Sequence, residues 1–423
     1  MVMKTYIFLV YMYVFNPFLT NVIKNLLGLP NVLSVFKDLL LLFLFGYVLI
    51  LKKKFRMTAS VCISLTLLLI FSFYYLGTSL NQARISEGVY YFRTHFFPII
   101  FLITSVWVVQ GTENVNWNRL FKHLLIINII SLILTVLIYA VALINIRWFM
   151  QYMGLNDMLV SLRISHANFL RATAPQAGPN LLGFYYAVNI LVLSLYYYLN
   201  KNKTFWLFML IIADAIGMFL TFSRSSLLFL MFAFLTILLL RPSRYLKWFA
   251  RIGLISGLFL VIIVAVANEI TGGKMQAWVE KSVSFRDDSM RSRSSFIGDA
   301  LKDIDEYIVS GYPKGTVGAL STVKNFHHCE NSFFILFMDM GLPQFLILFF
   351  SFLVVALSEV RNVSQIALLI GVFANFQVLP NVQAYSLMIY ILWVFILLKN
   401  IKFVKEFNRD IKYNFSLVPD SAI

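Results

Sequence analysis

Residues 204–240 read TFWLFMLIIADAIGMFLTFSRSSLLFLMFAFLTILLL, two apolar runs (204–222 and 225–240) that meet at Thr221-Phe222-Ser223-Arg224-Ser225-Ser226. Asp214 and Arg224 are the only charged residues in the stretch. Runs of this kind approach the roughly 20 residues that cross a bilayer as a helix. With no water available, such a segment must satisfy its own backbone, which at this length means a helix. The stretch therefore predicts two antiparallel spans joined by almost no loop. Further apolar runs lie near 5–25, 33–51, 57–76, 89–110, 120–145, 180–200, 252–268, 331–358, 363–379 and 383–398, so the expected fold is an all-α integral membrane protein of about twelve transmembrane helices. Composition agrees: of 423 residues 60% are hydrophobic and 13% charged, with mean hydropathy +0.81, whereas a soluble domain has about 25% charged residues.

The net charge of +16 would suit nucleic acid, but lysines and arginines collect in the cytoplasmic loops of membrane proteins, and no nucleic-acid partner is expected. Placing the N-terminus inside gives the cytoplasmic side Lys4, Lys52 to Lys54 with Arg56, Arg119 and Lys122, Lys201 and Lys203, then Arg241, Arg244, Lys247 and Arg251, then Arg361, and finally Lys399, Lys402, Lys405, Arg409 and Lys412. The short loops 26–32 and 380–382 on the other side hold few cations. Both termini are thus expected to be cytoplasmic. The N-terminal run has no small-residue cleavage site and reads as a first span. Cys62 and Cys329 suggest neither a disulfide framework nor a metal site.

On this topology the chain divides into spans one to nine (1–268), one large external loop (269–330), and three further spans with a cytoplasmic tail (331–423). The loop carries Lys274, Lys281, Arg286, Arg291, Arg293, Lys302, Lys314 and Lys324 against the usual orientation bias, and ends in His327-His328-Cys329-Glu330-Asn331. The cations expected outside or near the outer surface also differ in kind: Arg84, Arg93, Arg147, Arg163, Arg171, Arg224, Arg286, Arg291 and Arg293, where lysine predominates inside. The planar guanidinium fork suits bidentate binding of phosphate or carboxylate. An external anionic ligand accounts for the bias. Within the loop, Ile297, Leu301, Ile304 and Ile308 share a helical face, so 295–309 reads as an amphipathic helix lying on the outer membrane surface.

Four constellations are candidates for chemistry. Ser223 can cap the helix that follows it, and Arg224 among the serine hydroxyls and open N–H groups of that helix start makes an anion site; the bland alternative is an arginine that snorkels to the interface. Arg171 precedes a similar entry, Pro175 to Asn180, where Pro179 suits the first turn and Asn180 stands at the helix mouth. Arg291 and Arg293, around serines, can clamp one phosphate group, against the alternative of a solvated charged stretch. His327 or His328 can take a proton from an attacking sugar hydroxyl, with Glu330 orienting the imidazole or acting as base; solvated loop histidines are the bland reading. Asp214 and Asp339, inside apolar runs, are costly there and are read first as structural partners.

The order of these motifs resembles the bacterial O-antigen ligase and O-antigen polymerase superfamily. The resemblance covers most of the chain in topology. Its specific features lie between about 171 and 345: the Pro179-Asn180 entry, the Ser223-Arg224-Ser225 turn, a loop arginine followed by an amphipathic helix and Gly311-Tyr312-Pro313, the segment 327–331, and an aromatic helix reaching Gly341-Leu342. It implies a glycosyltransferase of the bacterial inner membrane that uses an undecaprenyl-diphosphate-linked oligosaccharide as donor on the external face, without metal or other cofactor. Arg224 with Arg291 or Arg293 would hold the diphosphate, and His328 or His327 would activate the acceptor. Ligases tend to show His followed closely by Asn, whereas Cys329 and Glu330 intervene here, which leaves the base open among His327, His328 and Glu330. Glu330-Asn331 is also compatible with the more divergent polymerases of capsule, exopolysaccharide or O-antigen. Membrane lipid, a chain-length regulator and a flippase are the expected partners. The alternatives are a ligase that passes finished glycan to lipid A core, and a lipid-linked oligosaccharide flippase. A transporter should line its mid-membrane path with polar groups; here they crowd the expected outer end.

Overall fold

Arg224 and the runs on either side of it become helices in the computed structural model, which describes residues 2–29, 32–51, 57–110, 115–154, 165–166, 169–199, 205–240, 304–317, 331–377 and 384–399. In chain order the helices are α1 (Val2–Val14), α2 (Asn16–Thr20) with a π-helical continuation (Asn21–Leu26), α3 (Val32–Leu51), α4 (Ala59–Asn81), α5 (Ile85–Gln110), α6 (Trp117–Ile144) and α7 (Ile146–Met153). They continue as α8 (Pro179–Leu199), α9 (Phe205–Leu220), α10 (Arg224–Leu240), α11 (Ile304–Tyr307), α12 (Ser332–Met340), α13 (Leu342–Glu359), α14 (Val363–Phe376) and α15 (Tyr385–Leu398). The one departure from helix among the described elements is a two-residue antiparallel ladder, β1 (Ser165–His166) with β2 (Phe169–Leu170).

Six of these helices are long and apolar enough to cross a membrane: α3, α4, α5, α6, α8 and α13. The first apolar run is not one straight rod, because α1 and the α2 segment are bent by 60°. Pro17, in the first turn of α2, has no N–H to give back to the preceding turn, which ends one helix and starts another. Helices α9, α10, α14 and α15 are apolar but shorter. Helix α15 is apolar all round, and every residue from Ser386 to Leu398 is buried, as expected of a helix with neighbours on all sides. The apolar run 252–268 and most of the 269–330 loop lie outside the described residues; of the expected amphipathic helix 295–309, only α11 and the turn after it are described.

The run 331–358, expected as one span, is broken into α12 and α13 at Gly341. Gly341 has φ +77°, and a Cβ there would sit 2.4 Å from the Val309 carbonyl oxygen and 2.8 Å from the Gly311 nitrogen. Pro343 follows in the first turn of α13. The break is where the chain after α11 docks: Leu342 N–H donates to Ile308 O and Tyr312 N–H to Met338 O, both at 2.7 Å. Gly341→Ala is expected to cost about 1–3 kcal/mol from the left-handed backbone alone, with the contact to Val309 added. Its signature is a lower midpoint of thermal unfolding in detergent.

That junction also holds Asp339. Tyr75 donates to its Oδ2 at 2.8 Å, His95 Nε2 lies 3.1 Å from the same oxygen, and Lys314 donates to its backbone carbonyl. Burial pulls the Lys314 ammonium below the ordinary lysine value, and the Asp339 charge opposes that shift. The α4–α5 turn grips the same segment: Gln82 donates to Gly311 O at 3.3 Å and accepts from Lys314 N at 3.1 Å, while Arg84 donates to Lys314 O at 3.1 Å. Asp214 sits in a second polar chain, accepting from Asn128 at 2.9 Å; Asn128 accepts from Asn189 at 2.9 Å, and Tyr390 donates to Asn189. Both aspartates are partners in structural networks, as read first from sequence.

Candidate active site

The two turns singled out from sequence are in contact. Arg171, ahead of α8, donates from Nε to the Thr221 carbonyl at 2.7 Å, and from Nη2 to Asn180 Oδ1 at 2.7 Å. Ala172 N–H donates to Leu220 O at 3.0 Å. One guanidinium thus ties the entry of α8 to the α9–α10 turn, across fifty positions of sequence. The approach is close because Gly183 faces the turn: a Cβ there would meet Ser226 Oγ and Thr221 Oγ1 at 2.6 Å and Ser223 Cβ at 2.7 Å. Gly183→Ala is expected to push the Arg224 turn away from Arg171 and cost about 1–3 kcal/mol of stability by overpacking. The midpoint of thermal unfolding in detergent checks it.

The turn is short and polar. Phe222 has φ +50°, which lets two helices meet with only three residues between them, Thr221 to Ser223. Ser223 stands immediately before α10, at the position expected of a cap. Its hydroxyl accepts from Ser226 Oγ at 2.8 Å and is shared with Ser225 Oγ at 3.1 Å. Thr221, Ser223, Ser225 and Ser226 are all buried, whereas Arg224, Arg171 and Asn180 are half-buried. Arg224 therefore stands at the start of α10, where the helix dipole is positive, and close enough to Arg171 for their charges to repel. Burial, and then that neighbouring charge, push Arg171 down to about 10, which leaves it a cation at neutral pH. The two bonds of Arg171 use Nε and Nη2; its Nη1 hydrogens meet no acceptor, and its charge no carboxylate, among the described residues.

Helix α14 connects this turn with the segment that follows the candidate bases. Asn375, in its last turn, donates to Ser225 O at 3.1 Å. Gln377, at its end, accepts from Asn331 Nδ2 at 3.0 Å through Oε1 and 3.2 Å through its carbonyl. Asn331 also caps α12, its Oδ1 accepting from Phe334 N at 3.0 Å. Of the residues picked from sequence, then, Arg171, Asn180, Ser223 and Arg224 come together. Arg291, Arg293, His327, His328 and Glu330 lie outside the described residues.

Two of the expected external arginines have other work. Arg84 holds the Lys314 carbonyl, and Arg93 is ion-paired with Asp38 at 2.7 Å. The fork-shaped donor set serves such structural bonds as well as a ligand, so the arginine bias does not by itself require one. The Arg93 cluster, with Lys37, Asp38 and Tyr385, was missed; the signal available was two adjacent charges, Lys37-Asp38, inside an apolar run.

A search of curated proteins gives no match to the chain. Residues 207–349 match a family model described as O-antigen ligase. The matched interval contains the Ser223-Arg224 turn, the His327 to Asn331 segment and the Gly341 break, and over it the chain is similar to the O-antigen ligase family.

Proposed function

We propose that the protein is a polysaccharide polymerase, which transfers a glycan from an undecaprenyl-diphosphate carrier to a sugar hydroxyl of another lipid-linked repeat unit on the external membrane face. The observation that carries this reading is the pairing of Arg171 with Arg224. Two like charges, both half-buried, are held together from separate turns by Asn180 and the Thr221 carbonyl. Their charges repel, and an anion between the guanidinium groups would be held by both. The helix start of α10 adds its own N–H groups and dipole toward the same anion.

A diphosphate fits that site as a leaving group. The acceptor hydroxyl oxygen bonds to the anomeric carbon of the donor, the bond from that carbon to the diphosphate oxygen breaks, and its electron pair leaves on the diphosphate. Arginines aimed at the charge that develops there lower the barrier. The acceptor proton goes to His327, His328 or Glu330, one to four residues before Asn331. Arg291 and Arg293 supply further cations from the loop side. This reading requires the candidate site to face the periplasm or exterior, where a carrier-linked glycan is presented, and a flippase and chain-length regulator to work beside it.

Incubating purified protein with a lipid-linked repeat unit tests the proposal: longer glycan and released undecaprenyl diphosphate are expected, and absence of both overturns it. A gene deletion separates the polymerase from the ligase. The polymerase mutant retains single-repeat products, whereas loss of all attached glycan assigns the ligase reaction instead.

A further inference from the structure

A cavity of about 710 Å³ opens between the bent α1–α2 segment, the start of α3, the first turns of α5 and the start of α15. Ligand sites typically enclose about 300–1,000 Å³. Its walls carry Lys24 and Arg93, the side chains of Asn16 and Thr20, and the rings of Tyr90 and Tyr385. Cations suit phosphate, amide and hydroxyl groups suit sugar hydroxyls, and tyrosine rings suit the apolar face of a sugar.

The wall behind the cavity is built to hold Arg93 still. Its Nη2 lies 2.7 Å from Asp38 Oδ2 and donates to Tyr385 Oη at 2.9 Å and to Ser34 O and Oγ at 3.2 Å. Asp38 also receives Tyr13 Oη at 2.8 Å and Lys37 Nζ at 3.2 Å, and Lys37 donates to Tyr385 Oη as well. Lys37 is fully buried and Asp38 nearly so. The cluster holds two cations and one carboxylate, and no second carboxylate pairs with Lys37 or Arg93 among the described residues. One positive charge is left over, and Lys24, exposed on the π-helical segment, adds another at the cavity. An uncompensated cation inside a helical bundle is unfavourable until an anion joins it.

This cavity lies at the same end of the bundle as Arg171 and Arg224. Helices α14 and α15 run antiparallel: Asn362 donates to Leu398 O at 2.7 Å and Gln365 to Phe395 O at 3.0 Å. Asn375 is therefore at the Tyr385 end, and Asn375 bonds Ser225 O at the Arg224 turn. The sites are nonetheless built from different helices, α8 to α10 in one case, and α2, α3, α5 and α15 in the other.

We propose that the cavity binds the phosphate headgroup of a second carrier-linked glycan, the acceptor, with Lys24 and Arg93 on the phosphates and Tyr90 and Tyr385 against the first sugar. The assignment to an acceptor rests on the polymerase reading, because joining two carrier-linked glycans requires two lipid diphosphates to be held at once. Native mass spectrometry of the purified full-length protein with undecaprenyl diphosphate as the probe tests it. The wild type is expected to bind two equivalents. Lys24→Glu, at an exposed position that leaves packing alone, should weaken one of them by at least about tenfold. Arg93→Gln, which keeps a donor for Ser34 and Tyr385, should weaken the same one. Arg224→Ala should remove the other.

Three results overturn the proposal: a wild type that binds no equivalent, binding that persists undiminished in Lys24→Glu, and displacement of the Lys24-dependent equivalent by equimolar phosphatidylglycerol, which assigns the cavity to bulk phospholipid. The binding count is read without catalysis. Should Arg224→Ala leave polymer length unchanged, the donor-site reading falls while the Lys24-dependent equivalent is still scored by itself.

Discussion

Arg224→Ala is expected to reduce glycan transfer by about 100- to 1,000-fold, the usual effect of removing one donor aimed at developing transition-state charge. Protein abundance should not change, because Arg224 is half-buried on the turn and the α9–α10 connection is held by other groups: the Ser223, Ser225 and Ser226 hydroxyls, Asn375 and Arg171. Arg224→Lys keeps the charge but not the planar fork, and should recover only part of the rate. Arg171→Ala should combine the two kinds of damage, since it loses a cation and also the strap between Thr221 and Asn180. Undecaprenyl diphosphate release in vitro and polymer length in cells are the readouts. A normal length distribution from Arg224→Ala cells at normal protein level would remove the turn from the reaction.

The second large effect concerns folding. Asp339→Ala removes the carboxylate that receives Tyr75 and lies against His95, and it deprives Lys314 of its opposing charge. Breaking a buried pair by deleting one member costs about 3–5 kcal/mol, because the remaining charge is left without compensation. Lys314→Met in the same chain should restore part of that loss, with a coupling of about 0.5–3 kcal/mol between the two changes. Thermal unfolding of the four combinations in detergent measures it. Full additivity would mean that Lys314 is held by its backbone acceptor at Asp339 and not by the carboxylate.

Much of the helical architecture is legible in the sequence because one quantity, apolar length, dominates when lipid is the solvent. That same dominance hid the break at Gly341. The run 331–358 is apolar on both sides of it, and the only mark is Gly341 two residues before Pro343, a pair that punctuates helices. At the candidate site, residue type and position single out the helix-mouth residues Arg171, Asn180, Ser223 and Arg224, which the fold brings together. What residue type could not supply was that Arg171 and Asn180 bind one another, which makes part of the site its own scaffold. Arg84 and Arg93 show why residue type alone does not separate the two uses: an arginine recruited to a carbonyl or a buried aspartate looks, in sequence, like one awaiting a ligand. Tyr385 carries no sequence signal at all; its place between Lys37 and Arg93 comes from packing of helices almost 300 positions apart.

Helix α14 supplies both Asn375, on the Arg224 turn, and Gln377, on Asn331. On the proposed assignment, with Arg224 on the leaving group and the base drawn from residues just before Asn331, α14 is a shared mount for the Arg224 turn and Asn331. A tilt or shift of α14 then moves that turn and Asn331 in the same direction. Their separation is thereby buffered against movement of the rest of the bundle.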